Sequence, residues 1–263
     1  MIIDFSKITI YEVFALALSI IAILIPIIQW AWKKCVVTTK LCFHPTGKGQ
    51  LFFNQSGSYI RIDGVYEVMN KPATITKIAV KVTRQKDEQK KNLMWSSFIS
   101  PVSQSMIGNY LQTMESAHPF RIEADSVSCA FTEFADPFDS FGKIFRNHTS
   151  VLFSKITSIQ ERSASYSNAV KAYMSLPEYV TAKQLLEKEF FWEIGKYSID
   201  LQVCYGKEEK IFQYTITVGE GEYEQLKSNI DEALLSPLKR NYSIPWDYHS
   251  TVVELQKIRN EDK

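Results

Sequence analysis

Cysteine, histidine and net charge are all scarce in this chain. Its four cysteines (Cys35, Cys42, Cys129, Cys204) and four histidines (His44, His118, His148, His249) form no C-x-x-C pair and no ligand-like spacing. A structural zinc, which gathers thiolates and imidazoles at short regular intervals, is therefore not expected. Lys plus Arg number 30 and Asp plus Glu 29, so no global field attracts nucleic acid. The sequence also lacks G-x-x-x-x-G-K-[ST], G-x-G-x-x-G, G-x-S-x-G and H-E-x-x-H, the motifs that cradle phosphates or position a nucleophile or a metal. Gly47-Lys48-Gly49 lacks the upstream glycine and the hydroxyl of a phosphate loop and reads as a turn. Ser140 with Lys143, and Ser236 with Lys239, match S-x-x-K, but neither S-D-N nor K-T-G accompanies them. Glu220, Glu222 and Glu224 suit a helix start, where carboxylates meet the positive end of the dipole. No catalytic, cofactor-binding or metal-binding residue is expected, and the chain reads as non-enzymatic.

What the chain does contain is one long uncharged run. Val13 to Trp32 reads VFALALSIIAILIPIIQWAW, and 20 residues at about 1.5 Å each match the roughly 30 Å hydrocarbon layer of a bilayer. Its eleven strongly apolar side chains favour insertion by about −3 to −7 kcal/mol. Pro26 is tolerated near the end of such a span. A cleaved signal peptide fits less well: the start carries Asp4, Lys7 and Glu12, and the run ends in the bulky Ile27, Ile28, Gln29 and Trp30. Lys33, Lys34, Lys40 and Lys48 follow the run, whereas Lys7 alone precedes it. The positive-inside rule then places the N-terminus outside and the C-terminal domain in the cytoplasm of a single-pass inner-membrane protein. Trp30, Trp32, Lys33 and Lys34 are the expected interface anchors. Ala15, Ser19 and Ala22 form a stripe of small residues through which two spans could approach closely.

Beyond residue 34 the apolar period changes to alternation. Ile60, Ile62, Tyr66 and Val68 alternate with Arg61, Asp63 and Glu67, with Asp63-Gly64 as a candidate bulge or turn. Ile78, Val80 and Val82 follow after Asn70-Lys71-Pro72, and the two runs read as a hairpin. Residues 86–92, KDEQKKN, read as a solvated loop. Phe120 and Ile122 precede an Ala-Asp turn, after which Val127, Cys129 and Phe131 share a face. Cys129 and Cys204, in expected strands, read as small buried residues in a reducing compartment. The late hairpin places Tyr197, Ile199, Leu201 and Val203 against a return through Ile211, Phe212, Tyr214, Ile216 and Val218. Residues 138–189 carry helical spacing, with Ser175 as a cap and Pro177 in the following first turn. The tail from 221 to 263 reads as helical in two pieces, 222–235 and, more weakly, 247–259. The sequons at Asn54, Asn147 and Asn241 would matter only outside the cell.

The expected fold is mainly β with helical additions: a transmembrane segment (1–34), an antiparallel β-sandwich (35–220) with a helical insertion (138–189), and a helical tail. Its strand rhythm resembles the immunoglobulin-like domains beside membrane anchors in many bacterial proteins, without the Cys-Trp-Cys spacing of antibody domains. The resemblance implies a fold and no mechanism. Two functions fit. One is a protein whose partners are the bilayer and a bound protein, held or sensed by the β domain. The alternative is a membrane-perturbing effector that self-associates through Ala15, Ser19 and Ala22, a layout similar to membrane-acting effectors of bacterial antiphage defence. A hydrolase whose site assembles only in the fold is a distant third.

Overall fold

The computed structural model describes residues 9–35, 37–99, 103, 104, 110, 111 and 113–258; Asp4 and Lys7 of the charge argument lie outside them. The uncharged run forms one helix, α1 (Ile10–Cys35), which continues through Pro26. None of its Val13–Trp32 span is buried against the rest of the chain. It is long and apolar enough to cross a bilayer, a property it shares with signal sequences.

The strands do not form two facing sheets. Among the described residues eleven strands form one antiparallel sheet that curls into a nearly closed barrel, with one short two-stranded pair apart from it, and the sandwich expectation gives way for a definite reason. In chain order the strands are β1 (Lys40–Asn54), β2 (Gly57–Met69), β3 (Ala73–Arg84), β4 (Lys90–Ile99), the short β5 (Ser103–Gln104), β6 (Tyr110–Leu111), β7 (Met114–Ser116) and β8 (Phe120–Ile122), then β9 (Ser126–Ala135). After the helices α2 (Ser140–Ser154), α3 (Ile156–Arg162), α4 (Tyr166–Met174) and α5 (Pro177–Lys188) come β10 (Gly195–Tyr205) and β11 (Glu208–Val218). Helix α6 (Glu220–Asn241), β12 (Ser250–Glu254) and β13 (Gln256–Lys257) end the chain. The sheet runs β12-β1-β2-β9-β4-β3-β10-β11-β13. Its two ends are therefore one continuous segment: β12 pairs β1 (Leu51 opposite Thr251, Gly49 opposite Val253), and β13 pairs β11 (Thr215 opposite Gln256).

This segment was expected as a helix. Thr251, Val253 and Leu255 are buried while Val252, Glu254 and Gln256 are exposed, a period of two that β-branched residues favour. Where β12 ends, other contacts hold the seam. Lys210 Nζ donates to the Leu41 carbonyl at 2.6 Å, and the Phe43 ring lies 5.9 Å from Phe212 and 4.7 Å from Tyr66.

The expected hairpin of β2 with β3 is replaced by β1 with β2. Pro45 and the glycines at 47 and 49 disguise β1 as a loop; they supply the irregularity between Pro45 and Gly49 that keeps the strand in register on either side. Asp63-Gly64 is regular strand opposite Phe131 and Ala130. Val127, Cys129 and Phe131 face outward, since Ala130, Thr132 and Phe134 supply the buried row. Cys129 is exposed and Cys204 only half-buried, both as free thiols. Run 86–92 is not wholly solvated: Asp87 receives two bonds from the buried Arg84, and Lys91 lies 5.4 Å from the Phe191 ring.

The late hairpin forms as expected and turns at Gly206-Lys207, with Tyr197, Ile199, Leu201 and Val203 buried beside Tyr214, Ile216 and Val218, whereas Ile211 faces outward, 52% exposed. Pro177 opens α5, where its missing N–H is not needed, but Leu176 is the cap and Ser175 closes α4. The helices cover the barrel end opposite α1: Phe141, Phe190 and Phe53 stack edge to face at 5.0 and 4.9 Å, and Trp192 Nε1 donates to the Phe52 carbonyl at 3.0 Å. Buried Asn229 of α6 donates to the carbonyls of Phe53 (2.9 Å) and His249 (2.7 Å) and accepts from His249 N–H (2.8 Å). Each amide group thus has a partner, and α6 is locked to the start of the closing strand.

Gly64 leaves room for Phe43 at the seam. A Cβ there would lie 2.4 Å from the Phe43 ring and 2.7 Å from the His44 carbonyl oxygen. Gly64→Ala is expected to cost about 1–3 kcal/mol by overpacking, read as a lower urea midpoint with an unchanged slope.

Candidate functional site: the anchor junction and an outer-wall cleft

Ala15, Ser19 and Ala22 are exposed along α1, and Ser19 Oγ donates to the Ala15 carbonyl at 2.8 Å, so this hydroxyl is satisfied within its own helix. Trp30 and Trp32 are exposed in the last turns, and the side chains of Lys33 and Lys34 fall outside the described residues. The helix passes into the barrel almost without a linker. Val37 N–H donates to the Trp32 carbonyl at 3.2 Å. The next residue, Thr38, accepts from Asn70 Nδ2 at 3.1 Å, and Asn70 N–H donates to Asp125 Oδ1 at 3.0 Å. Asn70 and Asp125 adopt positive φ (73° and 54°) in the two turns that this bond joins, a conformation that Asn and Asp tolerate better than most residues.

A polar concavity of about 550 Å³ opens on the outer wall of β12, β1, β2 and β9, lined by Gln50, Phe52, Arg61, Asp63, Glu133 and Ser250 together with Ile99 and Met114. Strand alternation puts these side chains on one face. Arg61 Nε donates to Asp63 Oδ1 at 3.0 Å, and Arg61 stands directly opposite Glu133 in the β2–β9 register. Gln50 Nε2 donates to Ser250 Oγ at 2.7 Å. Ser97 Oγ reaches Glu133 Oε1 only at 3.5 Å. Burial pushes the Glu133 carboxyl above its ordinary range, against the opposing pull of Ser97 and Arg61. The cleft suits recognition of a polar group. The one serine that lines it, Ser250, is engaged by the Gln50 amide.

Both S-x-x-K matches have other partners or positions. Ser236 Oγ donates to the Ala233 carbonyl and Lys239 Nζ pairs with Glu232 at 2.5 Å, so each is engaged away from the other. Ser140 opens α2, its N–H bonded to Asp136. Glu222 caps α6 by accepting from Gly219 N–H. Among the described residues no group of three or more His, Cys, Asp or Glu is arranged to hold a metal ion. The barrel interior is filled by side chains, including Tyr66 and Tyr214; burial raises both phenols, Tyr214 to about 12.

Sequence reasoning passed over the cleft and the Asn70 clasp. Arg61 and Asp63 read there only as the polar half of an alternating strand, and Glu133 carries no reading at all. Their pairing across β2 and β9 depends on a register that no local pattern discloses. No family model, no curated protein and no solved structure matches the chain.

Because the folded state raises the Glu133 pKa, the charged form is disfavoured by folding. The stability it subtracts is absent below the unfolded glutamate range and grows as pH rises through the raised folded value. Glu133→Gln is expected to leave stability at pH 4 nearly unchanged and to equal or exceed wild type at pH 7.5, checked by urea unfolding at both pH values.

Proposed function

We propose that the chain is a single-pass, membrane-anchored, non-enzymatic protein whose β domain, on the cytoplasmic side, binds a partner or senses a signal at the membrane. The observation that carries this reading is a span-length apolar helix with none of its surface buried, joined to the barrel through two adjacent hydrogen-bonded residues. An apolar face of this size left bare in water is costly at about 25 cal/mol per Å²; a bilayer removes that cost. Lys40 and Lys48, on the domain side, support the cytoplasmic placement. The cleft at Arg61, Asp63 and Glu133 offers polar recognition and no nucleophile-base pair.

The alternative, an effector acting through helix association, draws on the exposed stripe Ala15, Ser19 and Ala22. Growth and membrane potential after induction, for the full chain beside a version lacking residues 1–34, distinguish the two. The anchor reading expects no loss of potential with either version, and retention of the full chain in membranes after an alkaline carbonate wash. Collapse of the potential by the full chain, relieved by Ser19→Ile, would replace it with the effector.

A further inference from the structure

We infer that the barrel rim carrying Asn70, Asp125 and Val127 is a membrane-docking surface, seated on the headgroup layer of the bilayer that holds α1. The inference rests on the anchor reading and adds a fixed orientation to it. If Val13–Trp32 fills the hydrocarbon layer, the three residues to Cys35 rise about 4.5 Å more, and the headgroup region is only about 5–7 Å deep on each side. Val37 and Thr38 therefore stand at its outer edge. Both are tied by hydrogen bonds, Val37 back to Trp32 and Thr38 forward to Asn70, so the tether between α1 and the barrel is short and bonded at each end.

Asn70 in turn grips Asp125, and Val127, two residues on and about 7 Å away along an extended strand, presents an apolar side chain 64% exposed to solvent. On the same rim, the cations Lys40, Lys71, Lys207, Lys210 and Arg121 stand among Glu123, Asp125, Glu208 and Glu209. Three of those carboxylates accept local bonds, from Arg121, Asn70 N–H and Gln202. The rim's own charges nearly balance, so the tether is what holds it against the headgroups. The helical cover at the other barrel end then faces the cytoplasm.

The test is amine acetylation of the full chain in vesicles of phosphatidylcholine alone and with phosphatidylglycerol, read residue by residue by mass spectrometry. Lys40, Lys71 and Lys207 are expected to react at least five-fold more slowly than Lys171 and Lys188 of the helical cover, equally in both lipids. Asn70→Gly, which removes the bond to Thr38 while suiting the positive φ, is expected to raise the rim rates several-fold while the protein stays in the carbonate-washed membrane. Rim lysines that react as fast as the cover lysines in a protein retained by the membrane would overturn the docked rim and leave the anchor standing. Rim protection found only with phosphatidylglycerol would overturn the neutral-rim account. Loss of the protein in the carbonate wash would overturn anchor and rim together.

Discussion

Closure of the sheet by residues 250–257 is the constraint on which the rest of the domain depends. A curled sheet with β1 and β11 as free edges would leave two rows of backbone groups unpaired. One eight-residue segment meets both, β1 with its first half and β11 with its second. Below it, Lys210 and the Phe43–Phe212 contact finish the seam. The segment arrives at the correct place because Asn229 holds the His249 backbone and the end of β1 together. Helix α6 is thus less a tail than the arm that delivers the last strand, and the helices between β9 and β10 brace that arm: Tyr179 and Lys183 both bond Asp231, at 2.7 Å each.

Helix α1 and the barrel meet in the same economical way. Four residues, 36–39, separate a helix that no part of the domain covers from a rim pinned by Asn70 and Asp125. In a bilayer this arrangement transmits the position of α1 directly to β1, β2 and β9. The outer-wall cleft is built on those same strands, so whatever enters it meets a wall with little freedom relative to the membrane. A loose tether would let the domain tumble and spread its encounters over every orientation.

Local patterns carried the elements whose information is local. The bare helix from Val13 to Trp32, the β10–β11 hairpin about Gly206-Lys207, and the helix opened by Pro177 are legible because periodicity and turn or breaker residues lie within a few positions of one another. The pattern misled where tertiary pairing overrides it. Pro45, Gly47 and Gly49 look like loop residues yet sit in a bulged strand, and Val252-Val253 looks like a helix stripe yet supplies one outward and one inward side chain. The cleft was illegible for the same reason, since Arg61 meets Glu133 only through a β2–β9 register set across an intervening hairpin and four short strands.

The central claim, a barrel held on the cytoplasmic face by α1, is tested most directly at Cys129, an exposed thiol on the outer wall of β9. A membrane-impermeant maleimide applied to spheroplasts expressing the full chain is expected to leave Cys129 unmodified, as read by mass spectrometry, and to modify it once the membrane is opened. Modification of Cys129 in sealed spheroplasts would place the domain outside and contradict the account.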